Sequence, residues 1–149
     1  MAATRGLEHY EISNYARPGF RSRHNQIYWR AAEYLAAGPG ACGFVGDVRY
    51  QNAKPLPRYC DDLERSGLPV DSAERLTPRQ RLAERLILGL RTADGIPAAW
   101  LVERLAGDDH LRRRVATWRD AGLLTDVAGR LRLSEEGFLH SDTLFVELL

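Results

Sequence analysis

The sequence predicts mixed α/β and α+β structure in two parts. Residues 1–67 read as the closing portion of a parallel α/β barrel, residues 68–76 as a linker, and residues 77–149 as a small winged-helix-like α+β domain. Three observations carry this. Strand, loop, short helix and strand patterns alternate over residues 1–50, an order that suits the end of a parallel α/β fold. The stretch 68–76 has no clear period. Beyond it come three helix-length segments, a hairpin pattern and a closing helix, the make-up of a winged helix.

In chain order, Tyr10, Ile12 and Tyr15 are strand formers interrupted by the polar pair Ser13-Asn14. Arg17-Pro18-Gly19 makes a turn, because proline fixes φ and glycine takes angles other residues avoid. A cationic run follows, Arg21 to Asn25, then the aromatics Tyr28 and Trp29. Tyr28, Ala31, Ala32 and Leu35 stand at helical spacing and predict a helix over 26–37. A second strand-like piece ends in Gly38-Pro39-Gly40-Ala41. Residues 46–60 look irregular, and 57–66 reads as a short helix closed by Gly67.

The second part opens on a helix start. Thr77 is the N-cap, Pro78 the first helical residue and Gln80 the returning side chain of a capping box. Leu82, Leu86 and Leu90, with Ala83 and Ile87, give one apolar face. Gly95 ends that element. Pro97 starts a helix carrying Trp100, Leu101 and Leu105, and Asp108 caps another with Leu111, Val115 and Trp118 facing inward. Residues 123–127 and 130–133 flank Ala128-Gly129 as a β-hairpin. Ser134 with Glu135 and Glu136 begins the closing helix.

Composition narrows the function classes. The chain has 149 residues, 44% of them hydrophobic, enough for a fair core. Net charge is +1, so there is no overall signature of a polyanion binder. Residues 1–60 carry eight Arg/Lys against four Asp/Glu, and residues 61–149 thirteen against sixteen. No signal peptide is visible and no apolar run approaches membrane-spanning length. With two unpaired-looking cysteines, Cys42 and Cys60, this fits a reducing cytoplasm. His9, His24, Cys42 and Cys60 show no paired-ligand spacing. Ser13 and Ser22 form no diagnostic triad with the histidines, and His110 and His140 are expected to be exposed.

Two segments are too specific for a generic fold: YEISNYARPGFRSRHNQIYW, starting at Tyr10, and YLAAGPGACG, starting at Tyr34. They resemble the later barrel part of radical SAM enzymes of the oxygen-independent coproporphyrinogen III oxidase family. They are most similar to its HemW branch of haem chaperones, whose patterns run close to YEISNxAxPGxxSRHNxxYW and YxGxGPGAHS. LTPRQRLAERLILGLR and the later GLL…RLRLSEEGF extend the resemblance over nearly the whole chain, but only over the C-terminal portion of the family's length. It implies the remnant of a radical SAM partial (β/α) barrel followed by the family's winged-helix-like C-terminal domain.

The family's chemistry rests on an N-terminal CxxxCxxC that holds a [4Fe–4S] cluster, with S-adenosyl-L-methionine on the fourth iron. This sequence has no such motif, and two thiols cannot supply that ligation. The chain is therefore expected to be a fragment or short form that is not a self-sufficient radical enzyme. The resemblance implies haem or coproporphyrinogen III as ligand, a missing N-terminal barrel portion as partner, and a membrane-associated acceptor for haem. As half a barrel the chain would expose apolar surface around Ile12, Phe44 and Val45.

Carried over residue by residue, Gly38, Gly40, Ala41 and Cys42 are the cofactor-facing candidates. Small residues at a strand end allow close backbone approach; the alternative is a tight turn without a ligand. Cys42-Gly43 stands where the family has His-Ser, which replaces imidazole by a soft thiol. Arg17, Arg21, Arg23, His24 and Asn25 are candidates for haem or substrate, because guanidinium suits carboxylates and imidazole can ligate haem iron. The alternative is that Arg23 and His24 pin the loop by hydrogen bonds. Glu11 and Asn14, at a strand end, are further ligand-side candidates, while Tyr28, Trp29 and Tyr34 read as packing.

A rival reading is nucleic-acid binding by the winged helix, through Arg112, Arg113, Arg114 and Arg119 with Arg130 and Arg132 on the wing. Asp108, Asp109 and Asp120 share that helix and the unit is net acidic, so no nucleic-acid partner is expected. A docking role for the C-terminal domain is the third reading.

Overall fold

The computed structural model describes residues 6–148. The chain forms two compact units: Met1–Ala31 with Leu82–Leu149, and Ala32–Arg81. The structure is mixed α+β, without a closed barrel. Every strand pairing among the described residues is antiparallel, so the parallel alternation expected over residues 1–50 does not form.

In the first unit, β1 (Glu8–Glu11) and β2 (Asn14–Ala16) make a short hairpin, with His9 opposite Tyr15. The expected turn follows: Phe20 N donates to Arg17 O at 2.9 Å and Gly19 has φ +83°. Helix α1 (Arg23–Trp29) starts at Ser22, whose Oγ accepts from Asn25 N at 3.2 Å. It is shorter than the expected 26–37 and begins earlier, because the chain leaves the helix at Arg30 and Ala31 takes φ +49°. Left-handed backbone at Ala31 cannot continue a right-handed helix.

The rest of this unit keeps the expected helices and hairpin, but a two-residue strand is added at Ile96–Pro97 and the expected closing helix is broken in two at His140. In the second unit α2 (Leu56–Ser66) ends at left-handed Gly67, and α3 (Pro78–Leu90) then runs on from the Thr77 cap into the first unit. The capping box is made in both directions: Thr77 N donates to Gln80 Oε1 at 2.8 Å and Gln80 N to Thr77 Oγ1 at 3.2 Å. β6 (Ile96–Pro97), α4 (Ala98–Leu105), α5 (Asp109–Asp120), β7 (Leu124–Val127), β8 (Arg130–Leu133), α6 (Glu135–Leu139) and α7 (Ser141–Val146) complete it. The sheet order is β6-β8-β7. Asp108 caps α5 through Leu111 N at 3.0 Å. Ala128 (φ +50°) and Gly129 (φ +74°) form the tight turn of the β7–β8 hairpin.

The core of this unit is one cluster: Leu86, Leu90, Ile96, Leu101, Leu111, Val115, Trp118, Leu131, Leu133 and Leu144 are all buried. Ile12 packs against it, so it is not the exposed apolar residue the sequence suggests. Gly95 is locked in place: its φ is +63° and a Cβ there would lie 2.1 Å from Leu131 O.

The second unit is a three-stranded sheet, β3 (Cys42–Val45), β4 (Val48–Asn52) and β5 (Val70–Arg75), in the order β3-β4-β5, with α2. Two expectations change here. Residues 46–60 are not irregular throughout, because β4 turns back from β3 at Gly46 (φ +60°). The expected linker over 68–76 holds β5, which pairs with β4 from Val48↔Arg75 to Asn52↔Val70. β5 is exposed at every residue and charged, so it lacks the apolar alternation that announces a strand. Long-range pairing such as Arg49 Nε to Glu74 Oε1 at 2.8 Å supports it instead. Val45 is exposed and Phe44 half-buried beside Tyr34.

Candidate functional site

The candidate residues fall into two places, one in each unit. In the first unit Arg17 occupies the turn before α1, and Arg23, His24 and Asn25 occupy its first turn. His24 is exposed; its Nε2 lies 3.0 Å from the Tyr28 hydroxyl, one helical turn on, and the rings meet edge to face. Arg17 and Arg23 are exposed and have no acidic partner among the described residues. Two exposed cations and an accessible imidazole thus share one short stretch. Guanidinium groups recognise carboxylates, and an imidazole with one nitrogen engaged keeps the other free for a metal.

Arg21 is drawn away from this surface. Its Nε and Nη2 donate to the Glu8 carboxylate at 3.0 and 3.1 Å, its Nη1 to Asp94 at 2.9 Å, and it lies over the Tyr10 ring. The hydrogen bond from Arg21 holds the Glu8 carboxyl below its ordinary range, and those to Glu8 and Asp94 hold the Arg21 guanidinium above its own. Glu11 and Asn14, expected on the ligand side, turn to each other. Glu11 is wholly buried, and its Oε1 accepts from Asn14 Nδ2 and from Ser13 N at 3.0 Å. Its Oε2 accepts from Arg91 Nε at 3.1 Å. Sequence reading missed Arg91: alternation on a strand puts Glu11 on the face opposite Tyr10 and Ile12, the pattern of a solvent-facing acid, so nothing local signals a buried pair.

In the second unit, Gly38, Pro39, Gly40 and Ala41 form a loop that precedes β3 rather than ending a strand. The reason is the backbone: Gly38 and Gly40 take φ of +100° and +67°, which a strand cannot accommodate. The loop is held by hydrogen bonds. Asn52 Nδ2 donates to Gly38 O at 3.0 Å, Gln51 Nε2 to Gly40 O at 3.1 Å, Gly40 N to Ala53 O at 2.9 Å and Gly38 N to the Tyr59 hydroxyl at 3.3 Å. With these groups engaged, the loop offers a ligand a small-residue surface and van der Waals contact. A Cβ on Gly38 would meet nothing within 4 Å, so the surface is open there, whereas one on Gly40 would meet Lys54 Cγ at 3.2 Å. Cys42 is exposed and lies 3.4 Å from Gln51 Nε2; Cys60 is exposed on α2. No cluster of metal-ligating side chains occurs among the described residues, and none of the described helices is long and apolar enough to cross a membrane.

The arginines of the rival reading are largely engaged. Arg112 pairs with Asp109 at 2.6 Å, Arg114 with Glu147 at 3.4 Å and Arg119 with Asp126 at 3.2 Å. Arg130 donates to the carbonyls of Asp94 and Gly95 at 2.6 and 2.7 Å, and Arg132 is half-buried. Arg113 alone of the α5 arginines lacks an acidic partner among the described residues. Most of these guanidinium groups thus have an acid or a carbonyl beside them. His140 is exposed between α6 and α7, and His110 is half-buried on α5.

Comparison with known proteins gives a consistent result. Residues 76–140 match the HemN C-terminal domain family. The chain is 36% identical over 144 residues to the heme chaperone HemW of Mycobacterium tuberculosis, covering 97% of this chain and 35% of that protein. It is 42% identical over 99 residues to the heme chaperone HemW of Synechocystis, covering 64% and 24%. It is 32% identical over 162 residues to a mouse mitochondrial protein, radical S-adenosyl methionine domain-containing protein 1, covering 97% and 36%. Coproporphyrinogen III oxidase (HemN) from Escherichia coli, a radical SAM enzyme, shares the fold with a TM-score of 0.73 at 16% identity, over 98% of this chain and 38% of that one.

The fold is that of the C-terminal part of a HemN-like structure, and the matched domain is the HemN C-terminal domain. More particularly, residues 76–140 match the HemN C-terminal domain, and almost the whole chain is similar to the C-terminal part of proteins named heme chaperone HemW. It spans about a third of the length of the curated relatives it matches. The full-length family implies a [4Fe–4S] cluster and S-adenosylmethionine. The cysteines present here, Cys42 and Cys60, do not fit a three-thiolate cluster site.

Proposed function

We propose that this chain is the C-terminal part of a haem chaperone of the HemW type, and that the stretch from Arg17 to Asn25 receives haem. The observation that carries the reading is the pairing pattern: Arg17 and Arg23 lack acidic partners among the described residues and precede exposed His24 in one short stretch. His24 would ligate the iron, with the Tyr28 hydroxyl orienting its ring, and the arginines would meet the propionates. The names of the curated relatives support haem as the ligand.

Gly38, Gly40, Ala41 and Cys42 would form a wall against S-adenosylmethionine in the intact protein. That molecule, held by a cluster on the rest of the barrel, supplies the radical chemistry of the family; the loop's part is shape, because its backbone polar groups are already engaged. The partners this implies are the N-terminal barrel portion and a membrane-associated haem acceptor. The compartment that fits is the cytoplasm.

The test is titration of the whole chain with hemin, followed at the Soret band, beside titration with metal-free coproporphyrin III followed by fluorescence. Saturable hemin binding is expected. His24→Ala should change the hemin spectrum and leave coproporphyrin binding in place, while Arg17→Ala with Arg23→Ala should weaken both. Hemin binding that is unsaturable, or unchanged in His24→Ala, would refute the reading.

A further inference from the structure

Parts of the chain far apart in sequence meet at one side chain in the first unit. Arg91 lies just after α3. Its Nε donates to Glu11 Oε2 at 3.1 Å and its Nη2 to Ser13 Oγ at 3.3 Å. Its guanidinium also lies over the Trp29 ring, 4.6 Å from the centroid, and Trp29 is the last residue of α1.

We propose that Arg91 is a positioning residue: gripped by buried Glu11, it holds α1 by the ring of Trp29 and so fixes where His24 points. The functional meaning rests on the proposed role of His24; the positioning itself does not.

The neighbouring backbone sharpens this. The β1–β2 hairpin is stitched to the segment after α3 without the Arg91 side chain, because Ile12 N donates to Arg91 O at 3.2 Å and Ala93 N to Tyr10 O at 3.0 Å. Helix α1 has no backbone bond of that kind among the described residues, and none of its residues is fully buried. Its C-terminal end is held by Trp29 against a cation. Glu11 sets the guanidinium plane, since a buried carboxylate holds a charge-assisted partner at a defined angle. A flat guanidinium stacks on an indole in a way an ammonium does not. One clamp therefore links the hairpin, the winged-helix-like part and the helix that carries His24.

The experiment uses the whole chain and two variants. Arg91→Lys keeps the charge beside Glu11 but removes the planar group. The double variant Glu11→Gln with Arg91→Gln removes both charges together, so that neither is left buried alone. Hydrogen exchange and NMR read the amides of α1, those of α5 as an internal control, and the His24 ring resonances. Expected in both variants is protection of α1 falling about three- to tenfold, the range a cation–aromatic contact supplies, with α5 unchanged and the His24 resonances shifted. Hemin affinity should fall by a similar factor. If α1 protection and His24 resonances stay at wild-type values in folded variants, the proposal is overturned. If the wild-type chain binds no hemin, the haem reading fails, and the exchange data still decide the role of Arg91.

Discussion

Glu11 and Arg91 stand 80 residues apart in sequence, and their side chains meet at 3.1 Å with the carboxylate wholly buried. Buried charges are stable only while paired, because removal of one partner leaves the other desolvated and uncompensated. Arg91→Ala should therefore destabilise the first unit by roughly 3 kcal/mol. Urea unfolding followed by tryptophan fluorescence measures this, and a loss below about 1 kcal/mol would place the pair among weak surface contacts.

Trp118 is the largest side chain of the core, 2% exposed, with its indole N–H donating to Glu147 Oε2 at 3.1 Å. Trp118→Ala should cost roughly 3–5 kcal/mol through lost burial and the cavity left behind. The midpoint of denaturant unfolding reports it.

Gly95 and Gly43 are closed to side chains for different reasons. At Gly95 a Cβ meets the Leu131 carbonyl at 2.1 Å and φ is +63°; at Gly43 it meets the Tyr50 ring at 2.3 Å. Gly95→Ala should lower the melting temperature of the first unit, with a cost of roughly 2 kcal/mol or more, because backbone cannot step aside. Gly43→Ala should displace the Tyr50 ring and break the bond from Ala36 N to its hydroxyl, 3.1 Å long. A shift of the Tyr50 ring signals by NMR would show this.

The Glu8–Arg21 pair sets a pH dependence. Glu8 has its folded pKa lowered below the ordinary value of 4.5, first by the hydrogen bond from Arg21. Its contribution to stability is thus fully present above that value and is lost as pH falls through the lower folded one. The wild-type chain should lose stability on acidification below about pH 4.5 more steeply than Glu8→Gln. Unfolding midpoints across pH 3 to 6 test this, and parallel curves would remove the pair from the account.

The winged-helix-like part was legible because its signals are local. Thr77 and Gln80 cap one helix, Asp108 another, and Ala128-Gly129 turns the hairpin; each lies within a few residues of the element it defines. The region up to residue 76 was less legible because its structure is set at a distance. Nothing near Ala31 announces a positive φ, and β5 is a charged strand made recognisable only by β4. The cationic run of the candidate site could be read from composition, but not its division into engaged Arg21 and, among the described residues, unpaired Arg17 and Arg23. That division depends on Glu8 and Asp94, the second 73 residues beyond Arg21.

The clamp at Arg91 also sets an order of assembly. A hairpin whose partner lies 80 residues downstream must wait on the ribosome while residues 32–81 emerge and pair among themselves. Closing so long a loop carries an entropic penalty that local contacts avoid. Strand β1 is thus made well before the partner it docks on, and until then it offers an open edge that a holding chaperone or a neighbouring chain can occupy.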